Sequence, residues 1–570
     1  IVAAQLEYKD EVDLGSDHHK RTSNKRANFY GSLLTTGLVL KYYTGPAQAL
    51  TINQLISIGG STLTEVIDWE FDREGAAYEA VNYQPHVVAV PLFWFSEIYS
   101  NVLGVDLFQR SLRGGTPILQ RYMDFTMYML YPTLHTWPSF DDSNTPVFNP
   151  PSQTGLNSLV AHYVTAVEHY GDGVAAWYLK KFTDTGKKMD TNDAMAGTLW
   201  GRNVAPIAPN SSGRLKLLEV YNHAPESSPD MHGTGHIFMR TGFENPKDIQ
   251  LVAQAGDIGG AHGHGDQGGY VLNAFGTMFL TDFTAGNGYG SNPMWPYFQS
   301  SKAHNGVLAC TDTLSYCGGS LYPQDPDSTR RFPGHDLVST IPTIFTNGAY
   351  DRVTMDMTES YQLNSNNQDV SDAKRHIVFI REGGIKGYFV IIDDITRSVA
   401  KRWQQRYHYS VNWNETEVNP TIVSNTKYEL TKKGATSPKL FIQTVYPTTG
   451  ITAADAYGPS SIAVDGAVAT DDTDKDRFIQ VTTNGSSNRF VQVSVLYPSE
   501  TGTAPTVTPT ISGNTISVLV DGRTVTYNQG DKTISVNTGT TPPTYACNNS
   551  LDDDADGRID YPADTGCASA

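Results

Sequence analysis

A single change of pattern along this chain limits the folds open to it. Apolar stretches of helix length dominate the first 205 residues, as at 30–43, 87–99 and 159–182. From about residue 215, short β-branched and aromatic runs, as at 235–240, 249–253, 269–275 and 387–393, alternate with Gly, Asn and Asp turns. Strand signals this dense are typical of antiparallel β-sandwiches. Helices followed by strands predict segregated domains rather than alternating βαβ units, an α+β multidomain protein.

Length and composition set the domain count and the class of partner. The 570 residues are enough for three or four domains. We predict a helical domain over 1–205, a central β-sandwich over 206–410, a C-terminal β domain over 411–540 and a tail over 541–570. The net charge of −18 argues against nucleic acid as a partner, although local basic patches can still bind an anionic substrate.

The residue mix favours an extracellular protein that faces carbohydrate. Charged residues make up only 18%, whereas the chain has 51 Gly, 31 Tyr and 8 Trp. The longest apolar runs fall short of the roughly 18 residues that a membrane span requires. The chain begins at Ile1, and we expect this residue to follow a cut.

The four cysteines form two pairs that are close in sequence. Cys310 and Cys317 close a short loop, and Cys547 and Cys567 enclose an Asp-rich segment. Even, clustered usage predicts disulfides in an oxidising compartment. A zinc site is the alternative, and the lack of CxxC spacing argues against it.

The segment 259–282 concentrates the residues that carry chemistry. His262, His264 and Asp266 are two residues apart, so they point to one side of an extended strand. Asp282 ends the next apolar run, and a hairpin would return it to the histidines. His304 adds a third imidazole. Two histidines and a carboxylate suit zinc, whereas the alternative is a polar strand end with ordinary hydrogen bonds.

These residues belong to a series of ordered motifs. The motifs are Gly260-Ala-His-Gly-His-Gly-Asp-Gln267, Phe275-Gly, Leu280-Thr-Asp282, Ala303-His-Asn305, Arg375-His-Ile-Val-Phe-Ile, Gly387-Tyr-Phe-Val-Ile-Ile-Asp-Asp394, Tyr407-His408 and, in the helical half, the segment Asp72 to Tyr83. The series resembles the heparinase II/III family of polysaccharide lyases. The resemblance implies an (α/α) toroid packed against antiparallel β-sandwich domains, with the active cleft between them.

The resemblance also implies roles for individual residues. His264, Asp282 and His304 would hold a structural zinc ion that fixes the loop bearing His262. Asp266 would orient an imidazole from outside the ligand set. His262 would act as catalytic acid or base, and Tyr83 as the general acid.

Substrate contacts follow from the same resemblance. Asn28 would neutralise the uronate carboxylate, and Tyr30 stands where the family carries a histidine. Tyr289 would contact sugar. His408 would line the cleft and contact substrate, and core or rim packing is its alternative. Only 27 residues precede Asn28, so the toroid is expected to be partial.

The tail predicts a calcium loop. Asp552, Asp554 and Asp556 alternate before Gly557, and Asp560 follows, with Asp564 as a further ligand. Closely spaced carboxylates on a tight turn surround a hard cation, and the pattern resembles thrombospondin type 3 repeats. A flexible acidic tail is the alternative, which the flanking cysteines disfavour.

Together these features predict a secreted or cell-surface lyase of an anionic, uronic-acid-containing polysaccharide, with structural zinc and a calcium-binding tail. The alternative is a non-catalytic structural or glycan-binding surface or filament protein that reuses the scaffold. In that case the calcium tail would support self-assembly or attachment to the cell surface.

Overall fold

The fold is taken from a computed structural model of the chain. The structure describes residues 24–41, 49–78, 90–111, 115–134, 138, 140, 154–184, 203–223, 233–256, 264–282, 301–310, 339–362, 369–412, 415–457, 463–464, 467–468 and 476–538.

The first part of the chain is helical, as predicted. Its described helices are α1 (Asn24–Leu40), α2 (Ala49–Glu70), α3 (Val90–Leu103), α4 (Ile118–Met129), α5 (Thr154–Tyr170) and α6 (Gly173–Asp184). The segment 159–182 forms two helices because Gly171 adopts a left-handed φ of +63° and Asp172 caps the next helix. Oδ1 of Asp172 accepts hydrogen bonds from the amides of Val174 and Ala175 at 2.9 and 3.0 Å.

A five-stranded antiparallel sheet follows, with its strands in sequence order. They are β1 (Leu218–Val220), β2 (His236–Arg240), β3 (Gln250–Gln254), β4 (Tyr270–Ala274) and β5 (Thr277–Leu280). Both faces are buried. Phe238, Val252 and Val271 pack against the helices, whereas Ile237 and Leu251 pack against the strands that follow. This sheet is therefore the layer between the helical part and the rest of the β structure.

Eleven strands form the largest sheet. They are β6 (Val307–Cys310), β7 (Thr340–Thr346), β8 (Tyr350–Asp356), β9 (Val370–Gly383), β10 (Lys386–His408), β13 (Val418–Ser424), β14 (Lys427–Lys432), β15 (Lys439–Tyr446), β16 (Ile451–Tyr457), β19 (Arg477–Thr483) and β20 (Ser487–Ser499). Short elements accompany them: α7 (Thr358–Gln362), the pair β11 (Ser410–Asn412) and β12 (Glu415–Thr416), and the pair β17 (Ala463–Val464) and β18 (Ala467–Val468).

The strand β10 connects the two halves of this sheet. Its first part pairs with β9 and β20, in the order β13-β14-β15-β20-β10-β9-β8-β7. After a register shift between Thr396 and Lys401, its last part pairs with β6 and β19. Because β20 lies far beyond position 410 in sequence, the sheet continues across the boundary expected there.

A four-stranded meander ends the described chain. It comprises β21 (Val507–Ser512), β22 (Thr515–Val520), β23 (Arg523–Asn528) and β24 (Thr533–Asn537). Its apolar side chains, among them Ile516 and Val518, pack against Val378, Ile380 and Val390 on the outer face of the large sheet. Within the ranges given above, no helix combines the length and the apolar character that a membrane span needs.

Arg240 ties the helical part to the five-stranded sheet. This guanidinium is 1% exposed and donates to the backbone carbonyl of Leu130 at 2.9 Å, just beyond the end of α4. Gln250 donates to the carbonyl of Tyr128 at the same distance. Carbonyls at a helix C-terminus lack partners within the helix, so these side chains from β2 and β3 supply the missing hydrogen bonds.

Candidate functional site

Four polar side chains converge beside the five-stranded sheet. His264 and Asp266 precede β4, Asp282 follows β5, and His304 follows the 3-10 turn Ser301–Ala303 before β6. All four are at most 2% exposed. A carboxylate oxygen from Asp266, one from Asp282 and a ring nitrogen of His304 lie within 4.8 Å of one another. The ring of His264 lies 5.4 Å from that of His304, centroid to centroid.

The hairpin of β4 and β5 brings Asp282 back to this cluster, as the sequence predicted. Residue pairs such as Leu272 and Leu280 face each other across the hairpin. The structure brings donor atoms of Asp266, Asp282 and His304 together and places the His264 ring near that of His304, and the ligand set of His264, Asp282 and His304 stays a prediction. Asp266 also belongs to this set of close donor atoms, whereas the sequence interpretation placed it outside the ligand set.

His304 and Asp282 form a hydrogen-bonded pair in the cluster. Nδ1 of His304 lies 2.6 Å from Oδ1 of Asp282, so the ring donates its Nδ1 proton to the carboxylate. Nε2 of His304 is buried and has no hydrogen-bond partner among the residues that the structure describes. An imidazole held in this tautomer keeps the Nε2 lone pair available to a proton or a metal ion.

Asn305 holds three segments of the site together. Its amide nitrogen donates to the carbonyls of Tyr270 and Thr281, both at 2.7 Å. Its side-chain oxygen accepts a hydrogen bond from the amide of His408 at 2.6 Å. The start of β4, the residue before Asp282 and the end of β10 are thereby fixed around the residue that follows His304. The sequence motif contained Asn305 but gave no sign of these partners.

Two of the predicted sugar contacts, His408 and Tyr30, have described side chains, and both are buried. His408 is fully buried, and its Nδ1 lies 2.9 Å from the Asp476 carboxylate. Tyr30 is 1% exposed and packs with Leu33 and Leu55 between α1 and α2. That position is typical of a core tyrosine. Asn28 lies in α1, and its side chain is outside the described part.

Several predicted residues fall outside the described ranges. These are Tyr83, His262 and Tyr289, the cysteines Cys317, Cys547 and Cys567, and the predicted calcium ligands Asp552, Asp554, Asp556, Asp560 and Asp564. Cys310 is buried at the end of β6. The catalytic roles, the disulfides and the calcium loop therefore stay predictions.

A second polar cluster fixes the segment that leads towards Tyr83. The Asp72 carboxylate is fully buried and accepts hydrogen bonds from the amides of Gly75 and Ala76, both at 2.8 Å. The hydroxyl of Thr234 donates to it at 3.0 Å and lies 3.0 Å from Nδ1 of His236. Burial raises the pKa of Asp72 well above its ordinary value, and the Glu74 charge raises it further.

This cluster joins the helical part to the five-stranded sheet, because Thr234 and His236 lie at the start of β2. The neighbouring Glu74 carboxylate contacts the ring of His223 and accepts a hydrogen bond from the His223 amide at 3.2 Å. No role is predicted from sequence for Asp72, Thr234, His236 or His223. The contacts span about 150 residues of chain, so no local pattern could have indicated them.

The fold is similar to that of several solved structures. No family model matches the chain, and no curated protein matches it at a significant level. Among solved structures, the heparan sulfate lyase HepC from Pedobacter heparinus is 15% identical with a TM-score of 0.59, covering 89% of this chain and 66% of that one. A heparinase III is 14% identical with a TM-score of 0.59, covering 91% and 69%.

A second heparinase III, the BT4657 gene product, is 13% identical with a TM-score of 0.56, covering 92% of this chain and 68% of its own. The chain thus spans about two thirds of the length of the lyases it matches. At this identity the likeness shows the fold alone: helices in the first part followed by antiparallel β domains, the scaffold of polysaccharide lyases.

Proposed function

We propose that this chain is a polysaccharide lyase that cleaves a uronic-acid-containing polysaccharide by β-elimination. The observation that carries the proposal is the convergence of two histidines and two aspartates beside the central sheet of a lyase-like scaffold. The likeness to heparan sulfate lyase and heparinase III supports an anionic polysaccharide as substrate.

The chemistry sets what the site has to supply. β-Elimination removes the weakly acidic proton at C5 of the uronate and expels the oxygen at C4. The carboxylate beside C5 has to be neutralised first, which is the proposed role of the Asn28 amide. His262 would then take the C5 proton, and Tyr83 would give a proton to the leaving oxygen.

The residues of the cluster fit a zinc ion. Imidazole nitrogens and carboxylate oxygens are the ligand types that zinc prefers, and Nε2 of His304 has no other partner in the described residues. Asp282 and His304 would hold the ion together with His264, whose ring centre lies 5.4 Å from that of His304. Asp266 has an oxygen within 4.8 Å of donor atoms of Asp282 and His304 and would be a further ligand. Bound zinc would supply structural rigidity, and the adjacent segment with His262 would be aimed at the sugar.

The direct test is formation of unsaturated sugar ends, detected by their ultraviolet absorbance. The protein would be incubated with alginate, heparan sulfate, chondroitin and pectin. We expect one of these to be cleaved, and Y83F and H262A to lower kcat at least about 100-fold, which is the usual contribution of a general acid or base. Tyr457, which is 54% exposed on β16, provides the control variant Y457F with unchanged activity.

Full activity in both Y83F and H262A would contradict the assigned roles. Failure of the wild-type protein to cleave any of the four polysaccharides would contradict the lyase proposal. Large assemblies that dissolve when calcium is chelated would then favour the structural or glycan-binding alternative.

A further inference from the structure

One arginine connects the segments that carry the cluster. Arg375 lies on β9 and is 1% exposed, so its charged group is enclosed by protein. One terminal nitrogen, Nη1, donates to the backbone carbonyls of Gly268 at 2.5 Å and Asn305 at 2.8 Å. Gly268 lies two residues after Asp266, and Asn305 follows His304 directly. A single guanidinium therefore bridges the two loops from which Asp266 and His304 project.

The other donors of Arg375 fix the guanidinium itself. Nε donates to the Asp393 carboxylate at 2.6 Å, and Nη2 donates to the side-chain oxygen of Gln405 at 3.0 Å. Asp393 is the direct cross-strand partner of Arg375 on β10. The guanidinium also lies 5.1 Å from the centre of the Tyr270 ring. A planar guanidinium that is hydrogen-bonded through Nε and through both terminal nitrogens has little freedom to rotate.

The loop on the Asp266 side is a tight turn, so a displacement of its backbone also displaces the Asp266 carboxylate. The amide of Gly269 donates to the Asp266 carbonyl at 2.6 Å, and Gly268 has a left-handed φ of +78°. Moving the Gly268 carbonyl therefore moves Asp266. On the other side, Asn305 carries both the carbonyl that Arg375 holds and the amide that fixes Thr281 next to Asp282.

We infer that Arg375 is a positioning residue that sets the distance between the Asp266 and His304 loops and so shapes the cluster. The inference rests on the proposed function for its effect on catalysis, but not for its effect on the two loops. Lysine in its place keeps the positive charge beside Asp393, yet a single ammonium cannot reproduce the fork that reaches Gly268, Asn305 and Gln405 together.

The same strand offers a matched control. Arg381 lies six residues further along β9, on the same face, and also pairs with a buried aspartate, Asp351, at 2.8 Å. It donates to the backbone carbonyl of Arg240 at 3.2 Å, at the end of β2 and away from the cluster. R381K thus removes an arginine fork between β9 and the same five-stranded sheet without touching the two loops.

The experiment compares hydrogen exchange, zinc affinity and kinetics in R375K, R381K and wild-type protein. We expect R375K to speed amide exchange in peptides covering 264–269 and 301–306, and to leave exchange elsewhere in the sheet unchanged. Zinc affinity, measured by competition with a chelator, should fall by about tenfold, which is a typical effect of removing a residue that orients metal ligands without touching the metal. On a cleaved polysaccharide, kcat should fall while KM stays within about twofold, since positioning affects the reacting geometry. R381K should match wild type in all three.

Unchanged exchange in both loops of R375K would overturn the inference, as would equal effects of R375K and R381K. If R375K does not fold, D393N carries the same test, because it removes the charge that anchors Nε and keeps the side-chain volume. A wild-type protein that cleaves none of the polysaccharides would contradict the proposed function alone, since the exchange measurement decides the positioning role without activity.

Discussion

His236 and His223 both lie near the Asp72 turn, and their pKa values are shifted in opposite directions. His236 is 2% exposed, and burial lowers its pKa to about 3. His223 is partly exposed, and its hydrogen bond to the Glu74 carboxylate raises its pKa. The first histidine therefore resists protonation in the folded protein, whereas the second favours it.

The pH dependence of stability follows from these directions. Between the unfolded pKa of about 6.5 and the folded pKa of about 3, the unfolded chain binds a proton at position 236 that the folded protein refuses. The stability contribution of His236 is thus lost as pH falls through this window, with a slope of up to about 1.4 kcal/mol per pH unit. We expect H236Q to flatten the loss of stability between pH 6.5 and pH 4, measured by urea unfolding.

H223Q provides a contrast of opposite sign. The raised pKa of His223 gives stability that is present below about pH 6.5 and is lost as pH rises through the folded value. H223Q should therefore weaken the protein in mild acid and change little above the raised pKa. A steeper acid loss in H236Q than in wild type would contradict the burial argument.

Residue types and spacing were enough to predict part of the site. His264, Asp282 and His304 stand out because few other side chains bind metals, and a hairpin is a local event. Asn305 and Arg375 could not be assigned from sequence, because their partners are backbone carbonyls and amides up to 107 residues away. Every residue has such groups, so no residue pattern marks the contact.

At the scale of elements, Gly235 controls how β2 begins. It has a left-handed φ of +72°, and a Cβ atom at this position would collide with the carbonyl group of Ala255 at the end of β3. Its amide and carbonyl both pair, with Tyr221 at 2.7 Å and Ala255 at 2.9 Å. The close approach of two backbones excludes a side chain here.

We expect G235A to destabilise the protein far more than G213A. Gly213 has a similar φ of +66°, but a Cβ there would meet none of the described atoms within 4 Å. Both variants carry the left-handed penalty of about 1 kcal/mol, and G235A adds a backbone clash worth about 2 kcal/mol or more. The midpoints of denaturant unfolding measure the difference, and equal midpoints would show that the two backbones can separate without cost.

Element prediction succeeded where side chains alternate or cluster by hydrophobicity. The strands at 236–240, 250–254 and 270–274 agree with the predicted runs to within a residue or two. The predicted run at 387–393 covers only the first part of β10, which continues to His408. Its second part is rich in Arg, Lys and Gln, which resemble a surface loop in sequence, although residues 402–408 pair with β6 and β19.

At the scale of the whole molecule, the final meander shields an apolar surface. Removing residues from 504 onwards would expose Val378, Ile380 and Val390 on the large sheet. We expect this truncation to raise the fluorescence of a hydrophobic dye several-fold and to promote aggregation, because a large exposed apolar patch is unfavourable in water. Removal of residues 541–570 alone keeps the meander and is the control. Dye binding equal to that of the full chain would mean that the large sheet does not need this cover.

The order of layers was only partly accessible from sequence. Segregation of helices from strands was predicted and is observed, because each class has its own hydrophobic period. The place of the five-stranded sheet was not predicted. Its strands are buried on both faces, so they lack the alternation that would tell which face meets which neighbour.

The 23-residue strand β10 takes part in both halves of the large sheet. Its first part can lose its pairing with β9 and β20 while its last part stays paired with β6 and β19 only if the strand breaks at the register shift near Thr396. One strand therefore contributes hydrogen bonds to both halves of the sheet, and unfolding of one half destabilises the other. Stepwise unfolding of the large sheet from one side is disfavoured, so we expect its two halves to unfold in a single cooperative transition.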